Sequence, residues 1–118
     1  MAVSPSYKAF VLEQLQVAGV VTAKSMFGGV GLYCQGLFFA LIDDDTLYLK
    51  VDDATRPEFK RVGSQPFRPF GDESHVMQYY ELPTDVLEDR VALRPWVERA
   101  VGAARRKAAA KRKRPRSG

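Results

Sequence analysis

The sequence contains one cysteine, Cys34, and one histidine, His75. A single cysteine excludes an intramolecular disulfide and any zinc site that requires several cysteines. No run of about 18 apolar residues occurs, so a membrane-spanning helix is excluded. The first residues, MAVSPSYK, lack the basic and then apolar order of a secretory signal. We therefore expect a cytoplasmic protein that makes no membrane contact.

Acidic residues are absent from the last fourteen positions, which carry eight basic side chains. The other 104 residues hold ten basic and fourteen acidic side chains, so they are net acidic although the chain has a net charge of +4. We predict a domain at residues 1–104 and a basic tail at residues 105–118 that is partly helical and then disordered. The basic residues of the tail are Arg105, Arg106, Lys107, Lys111, Arg112, Lys113, Arg114 and Arg116.

Residues 4–18 are predicted to form a first helix. Ser4 is a suitable N-cap, Pro5 is tolerated at the first helical position, and Gly19 is a natural stop. Apolar residues recur at three- and four-residue spacing, which is typical of a helix with one buried face. That face would consist of Tyr7, Phe10, Val11, Leu15 and Ala18, while Lys8, Glu13 and Gln14 would face water.

Residues 25–51 are predicted to form three antiparallel strands, with a Gly-Gly-x-Gly interruption in the first. Residues 37–42 are apolar throughout, which indicates the central strand. Residues 47–51 alternate between apolar and polar positions, as a half-buried strand does. The connections are a tight turn at Gln35-Gly36 and a slightly longer turn at residues 43–46; both are short enough to force antiparallel pairing.

Thr55 and Glu58 have the spacing of a capping box, which predicts a short helix at residues 55–62 that ends at Gly63. Residues 65–70 are predicted to form a strand. This strand should lie at an edge of the sheet, because Pro66 and Pro69 cannot donate hydrogen bonds to a neighbouring strand. Residues 75–82 would form its partner, with a turn at residues 71–74 between them.

From Thr84 a helical region is predicted to run into the tail, with a break before Pro95 and an end near Ala110. The resulting order, α-β-β-β-α-β-β-α, is typical of an α+β fold with two layers, in which helices pack against one antiparallel sheet. The apolar face of the last helix would consist of Leu93, Trp96, Val97, Ala100, Val101 and Ala104.

The glycines at positions 28, 29 and 31 match neither a phosphate-binding loop nor a dinucleotide-binding turn, because no Lys-Ser/Thr pair and no helix follows them. We interpret them as a bulge or as a point where a helix packs closely on the strand.

Three further groups could indicate a reactive or binding site, and each has a simpler structural interpretation. Cys34 and His75 would have to meet in space to act as a nucleophile and base, and Cys34 alternates with apolar positions that predict burial. The run Asp43-Asp44-Asp45 suits a solvated turn better than a metal site. We predict no enzyme activity, no catalytic residue, no metal and no cofactor. The aromatic residues Phe67, Phe70, Tyr79 and Tyr80 could stack on nucleic-acid bases, although core and edge-covering roles are favoured.

In their order and spacing, the short motifs of residues 8–104 resemble the N-terminal domain of the TfoX/Sxy family of bacterial competence regulators. The motifs are Met26-Phe27-Gly28-Gly29, Gly31-Leu32-Tyr33, Leu47-Tyr48-Leu49-Lys50-Val51, Asp52 to Arg56, Gly63-Ser64-x-Pro66-Phe67, Tyr79-Tyr80-Glu81-Leu82-Pro83 and Leu93 to Ala104.

The resemblance implies a regulatory role without catalysis. The founding members are transcriptional co-regulators of DNA-uptake genes and act with the cyclic-AMP receptor protein at certain promoters. They carry a second domain after the matched one. Here a basic tail follows instead, so we expect a stand-alone domain, in which the competence role itself is not implied.

The tail adds an expectation that does not come from the family. Eight cations without an acid favour non-specific contact with DNA or RNA. The expected partners are therefore nucleic acid through the tail and a transcription-machinery protein such as the cyclic-AMP receptor protein. The sequence neither predicts nor excludes a homodimer that pairs through an exposed edge of the sheet. The alternative function is a plain protein-interaction module with a solubilising tail, and a third is an unrecognised small-molecule site.

Overall fold

A five-stranded antiparallel sheet forms the centre of the protein, and helices pack on one of its faces. The computed structural model describes residues 3–26, 29–67 and 78–113. The predicted α+β fold with two layers is confirmed. The strands, which neighbour one another in this order, are β1 (Val21–Met26), β2 (Gly29–Cys34), β3 (Leu37–Asp43), β4 (Thr46–Lys50) and β5 (Tyr79–Glu81). The helices are α1 (Pro5–Leu15), which continues as a 3-10 turn (Gln16–Ala18), α2 (Arg56–Arg61), α3 (Thr84–Leu87) and α4 (Arg90–Lys113).

Helix α1 begins and ends as the sequence predicts. The hydroxyl oxygen of Ser4 accepts a hydrogen bond from the backbone N–H of Tyr7 at 3.2 Å, and Pro5 is the first helical residue. Gly19, with φ of 119°, follows the 3-10 turn in a conformation that other residues rarely adopt.

The buried face of α1 differs from the prediction at two positions. Gln14 was expected to face water but is buried. Its side-chain Nε2 donates to the carbonyl of Leu87 at 2.8 Å, and its Oε1 accepts from Arg90 Nε at 2.9 Å. Phe10, expected in the core, is 36% exposed. The hydrogen bonds of Gln14 join α1 to the last two helices, which explains how a polar side chain is tolerated there.

Gly29 and Gly31 lie inside strand β2, and Gly28 lies outside the described residues. The prediction of three strands in residues 25–51 missed one strand, β1, which precedes this glycine-rich stretch. Strand β1 pairs with β2 from Val21 opposite Cys34 to Met26 opposite Gly29. It escaped prediction although Val21 to Lys24 alternate between apolar and polar residues, because this alternation is only four residues long. A register shift between Leu32 and Tyr33 marks a bulge where β2 meets β3.

Both remaining hairpins use two-residue turns. Gln35 and Gly36 have φ of 55° and 77°, and Asp44 and Asp45 both have φ of 52°. This left-handed backbone matches the twist of antiparallel strands, and aspartate tolerates it better than most residues. The predicted longer turn at residues 43–46 is therefore shorter, with Asp43 paired to Thr46.

The core lies between the sheet and helix α4. Strand β3 is central, as predicted, and its residues Phe39 to Ile42 are buried. The apolar positions of α4 are buried or partly buried in this layer, which confirms the predicted face. Trp96 packs edge-on against Phe59 of α2, with ring centroids 4.8 Å apart.

The capping box predicted before α2 does not form. The hydroxyl oxygen of Thr55 accepts from the backbone N–H of Asp52 at 3.0 Å, and no side chain caps the helix at Thr55. Asp52 takes that structural role instead, since its Oδ1 accepts from the N–H groups of Ala54 and Thr55, both at 3.2 Å. Gly63, with φ of 78°, follows the helix as predicted.

Residues 65–67 lie beside β5, at the edge where the sequence placed them. Gln65 accepts at its carbonyl from the N–H of Glu81 at 2.9 Å, and the N–H of Phe67 donates to Tyr79 at 2.7 Å. Pro66 forms an isolated bridge with Tyr80. Residues 68–77, which include the rest of this predicted strand, its turn and His75, lie outside the described residues.

The break in the C-terminal helical region comes earlier than predicted. It lies at residues 88–89, where Asp89 Oδ1 accepts from the N–H groups of Val91 and Ala92 at 3.0 and 3.3 Å. Pro95 is accommodated inside α4, near its start. The helix also passes the predicted end at Ala110 and reaches Lys113, so residues 111–113 are helical rather than disordered.

No helix within the described ranges combines the length and apolar character needed to cross a lipid bilayer.

Replacing Gly29 with valine is expected to lower the free energy of unfolding by about 1–3 kcal/mol, the usual cost of overfilling a packed site. A Cβ at this position would lie 2.5 Å from the carbonyl oxygen of Ile42. The close approach is thus to the neighbouring strand β3 and not to a helix. Because the oxygen belongs to the backbone, it cannot rotate away. Chemical denaturation of both proteins measures the loss.

Gly102→Ala is the control for this prediction. A Cβ there would lie 3.4 Å from Nη1 of Arg106, the flexible end of a side chain. Alanine is also favoured over glycine inside a helix by about 1 kcal/mol. We expect Gly102→Ala to be neutral or stabilising. A Gly29→Val variant as stable as the wild type would contradict the close approach.

Candidate nucleic-acid interface

The basic tail begins as a continuation of helix α4. Ala103 and Ala104 are buried in the helix–sheet layer, whereas the next three residues, all basic, are exposed. Helix α4 runs on through residues 111–113, and Arg114 and Arg116 lie outside the described residues. At a rise of about 1.5 Å per residue, residues 105–113 extend about 12 Å along the helix axis, and this length carries six of the eight predicted cations. The division into a domain and a tail stays a prediction.

Arg106, one of the predicted nucleic-acid contacts, also binds the body of the protein. Its Nε lies 2.6 Å from Asp52 Oδ2, and its Nη2 lies 3.1 Å from Oδ1 of the same carboxylate. This two-point contact lowers the pKa of Asp52 and raises that of Arg106. Arg105 Nη2 makes a longer hydrogen bond to Gln35 Oε1 at 3.4 Å. The first cations of the tail are thereby held in place against the domain.

Beside Arg106 lies a cleft of about 500 Å³ between the end of β4, helix α2 and helix α4, which we call the Lys50 cleft. Four basic side chains, two carboxylates and one amide line it. Its lining residues are Lys50, Val51, Asp52, Asp53, Arg56, Gln78, Ala103, Arg106 and Lys107.

Lys50 is the buried charged residue of this cleft, with a relative exposure of 6%. Its Nζ donates to the hydroxyl of Tyr79 at 3.0 Å and lies 4.5 Å from the centroid of that ring. Burial lowers the pKa of Lys50 to about 8, and the positive charge of Lys107 acts in the same direction. Removal from water disfavours the ammonium form, which explains the direction of the shift.

The two arginines of the cleft have acidic partners. Arg56 Nη1 lies 2.8 Å from Asp53 Oδ1, and Arg56 Nη2 donates to Gln78 Oε1. Asp53 is fully exposed on its side-chain atoms, so this pair sits at the surface and contributes little to stability. Asp52 pairs with Arg106 as described above. The pairs hold both guanidinium groups in fixed positions along the wall.

The sequence did not predict this cleft. Alternation along β4 correctly placed Lys50 on the sheet face opposite Leu47 and Leu49. Its burial, however, depends on pairing with Tyr79 of β5 and on the approach of α4, which are contacts far apart in the sequence. The one local sign was a lysine that follows the apolar and aromatic residues Leu47, Tyr48 and Leu49.

The aromatic residues considered for base stacking do not form one surface. Tyr80 lies in the core, 6.1 Å from the ring of Phe59, whereas Tyr79 lies on the opposite sheet face, 5.4 Å from Phe38. Phe67 packs against Tyr48 at 4.9 Å. Phe70 lies outside the described residues. The favoured core and edge-covering interpretation therefore fits Tyr80 and Phe67.

The two other candidate sites from the sequence, Cys34 and the aspartate turn at residues 43–45, both have structural roles or buried positions. Cys34 is 2% exposed, as its alternation predicted, and the described residues do not include His75, the histidine that a reactive pair would require. In the aspartate turn, Asp45 Oδ1 accepts a hydrogen bond from the backbone N–H of Ser4 at 2.8 Å. That carboxylate joins the turn to the N-terminal end of helix α1.

Fold and surface together define a small α+β domain whose last helix extends into a basic segment. The family model described as the TfoX N-terminal domain matches residues 13–104. The match covers most of the chain, and the chain belongs to the TfoX N-terminal domain family, as its motifs predicted. This is a family of regulatory domains and not a known family of enzymes. A comparison with curated proteins finds no match.

The stability of the wild type is expected to rise, relative to a Lys50→Met variant, as the pH increases from about 8 towards 10. In this range the unfolded state keeps the Lys50 proton, whose ordinary pKa is 10.5, while the folded state, with a pKa of about 8, has lost it. Stability increases with pH wherever the unfolded state binds more protons. Tyr79, whose pKa is raised to about 12, acts in the opposite sense only above its ordinary value of 10.0.

Urea denaturation of both proteins between about pH 7 and pH 9.5 measures this difference. Lys24→Met is the matched control, because Lys24 is exposed on the edge strand β1. Its stability relative to the wild type should stay constant across the range. A constant difference for Lys50→Met as well would show that Lys50 is not desolvated in the folded state.

Proposed function

We propose that this chain is a non-enzymatic regulatory domain of the cytoplasm that contacts nucleic acid through the basic end of helix α4. In this proposal it also engages a protein of the transcription machinery, such as the cyclic-AMP receptor protein. Membership of the TfoX N-terminal domain family supports the regulatory part. The role would be similar to that of the competence co-regulators, with target genes set by the partner.

The observation that carries the nucleic-acid part is the continuity of α4. The last acidic residue of the chain is Glu98, and every charged side chain after it is basic. The helix holds the first of these cations at the surface of the domain instead of on a loose chain. When lysine and arginine side chains of such a helix neutralise DNA phosphates, the cations condensed on the DNA are released into solution, and this release drives binding.

The contact is expected to be independent of base sequence. Lysine and arginine contacts to phosphate position a protein on a duplex but carry no sequence information. Non-specific affinities of this kind are weak, with dissociation constants of roughly 10⁻⁴–10⁻⁶ M at physiological salt. A partner that recognises its own site would supply specificity, and the tail would raise the local concentration of the pair on DNA.

Strand β1 is our candidate for the protein-partner surface. Within the described ranges it pairs only with β2, so its other edge presents backbone hydrogen-bonding groups. Val20, just before it, is 80% exposed. An added strand from a partner or from a second copy of the chain would satisfy those groups. The exposed Lys24 on β1 opposes indiscriminate pairing.

A second function is favoured by the contacts of the tail itself. Arg106 pairs with Asp52 and Arg105 bonds to Gln35, so part of the tail has a structural role. A protein-interaction module whose remaining cations only maintain solubility would show the same contacts. The two functions differ in whether duplex DNA binds and how strongly salt weakens that binding.

Neutralising the outer tail is expected to weaken DNA binding by more than tenfold at about 0.1 M salt. The variant changes Lys111, Arg112, Lys113, Arg114 and Arg116 to glutamine and leaves the Arg106–Asp52 pair intact. If five or six tail cations meet phosphates in the wild type, log affinity should fall against log salt with a slope of roughly −4 to −5. The variant should show a slope of about −2. Fluorescence anisotropy with a labelled duplex measures both.

The matched control removes lysines from the body of the protein, at Lys8, Lys24 and Lys60, and should bind DNA almost as the wild type does. Two duplexes of unrelated sequence should bind equally to the wild type. Equal binding of the tail variant and the wild type would refute the nucleic-acid role and leave the interaction module. A pull-down with nuclease treatment then tests the cyclic-AMP receptor protein in either case.

A further inference from the structure

We propose that the Lys50 cleft is a binding site for a phosphate group. The inference goes beyond the proposed function, because it concerns the folded body and does not require the outer tail to bind DNA. It rests on the charge pairing inside the cleft, on the burial of Lys50 and on the size of the space.

The charges of the cleft leave two ammonium groups unneutralised. Asp52 is engaged by Arg106, and Asp53 by Arg56, at the distances given above. Neither Lys50 nor Lys107 has a carboxylate within ion-pair distance among the residues that the structure describes. Lys107 nevertheless lines the same cleft as Lys50. The positive charge of Lys107 disfavours the charged form of Lys50, and a doubly charged anion between the two side chains would offset that repulsion.

The burial of Lys50 also favours an anion. An ammonium group has three donors, and among the described residues Lys50 Nζ donates one hydrogen bond, to Tyr79 Oη at 3.0 Å. A buried charge without a counter-charge is destabilising, and proteins place such groups where a ligand or a partner completes them. Lys50, held by its hydrogen bond to Tyr79, thus lines the cleft together with Arg106 and Lys107 of α4.

The size and walls of the cleft suit a phosphate that is part of a larger compound. A volume of about 500 Å³ exceeds what one phosphate group needs. Gln78 and the guanidinium group of Arg56 lie at one side, already hydrogen-bonded to each other. Guanidinium groups that carboxylates hold in place are well suited to phosphate oxygens, which they bind in a planar, two-point geometry.

The phosphate could come from two sources that share this chemistry. One is the backbone of a nucleic acid, because Arg106 and Lys107 belong both to the cleft and to the basic end of α4. The other is a free phosphorylated compound, such as a mononucleotide. The experiment therefore has one arm for inorganic phosphate and one for duplex DNA.

In the first arm, inorganic phosphate is titrated into the full chain near pH 7 at constant ionic strength. Thermal unfolding and calorimetry should show saturable binding and a rise in Tm. Lys50→Met, which keeps the apolar stem, should weaken the affinity at least about tenfold, since it removes a charged donor. Asp53→Asn should tighten binding a few-fold, because it frees the charge of Arg56. Lys24→Met, the matched control on β1, should bind phosphate as the wild type does.

Wild-type affinity for phosphate in Lys50→Met would overturn the proposal. If that variant does not fold, Lys107→Met replaces it, because Lys107 is exposed and its removal leaves the core intact. In the second arm, a parallel loss of duplex binding in Lys50→Met assigns the phosphate to the nucleic-acid backbone. Unchanged duplex binding, with phosphate binding lost, assigns the site to a free compound, and 5′-AMP is then the probe. A tail variant that still binds DNA would refute the proposed function without touching the phosphate result.

Discussion

The packing of helix α4 on the sheet is the contact on which the rest of the structure depends. Its apolar face, from Leu93 to Ala104, is buried against β3 and β4. The small side chains of Ala100, Ala103 and Ala104 let the helix approach the sheet closely near its basic end. Arg90, at the start of the same helix, holds α1 through Gln14. One helix therefore fixes the N-terminal helix, closes the core and sets the position of the first tail cations.

The sequence correctly predicted those helices and strands whose signals lie in a few neighbouring residues. The start of α1 at Ser4-Pro5, the central strand β3 and the buried face of α4 each follow from a few neighbouring residues. Strand β1 was missed because its apolar–polar alternation covers only the four residues Val21 to Lys24. The burial of Gln14 was missed because its partners, Leu87 and Arg90, lie more than seventy positions away. A sequence window contains no trace of such a contact.

The two candidate sites also differ in whether local sequence or long-range contacts define them. The basic tail could be identified from composition, because a run of like charge needs no fold to exist. The Lys50 cleft could not, because Lys50, Arg56 and Lys107 meet only after β5 pairs with β4 and α4 packs across the sheet. Composition also counted every tail cation as available, whereas Arg106 is tied to Asp52. Long-range packing thus decides which charges face outward.

The unbroken course of α4 from the core to Lys113 fixes the direction of the first tail residues by the packing of the domain. Six cations crowded into the last nine residues of a helix repel one another and favour fraying of its end. A bound polyanion would reduce this repulsion and so would stabilise the C-terminal turns of the helix against fraying. The helical extension would then be rigid, and its direction would be set by the packing of α4 on the sheet. A nucleic acid bound along it would have a fixed orientation relative to the domain.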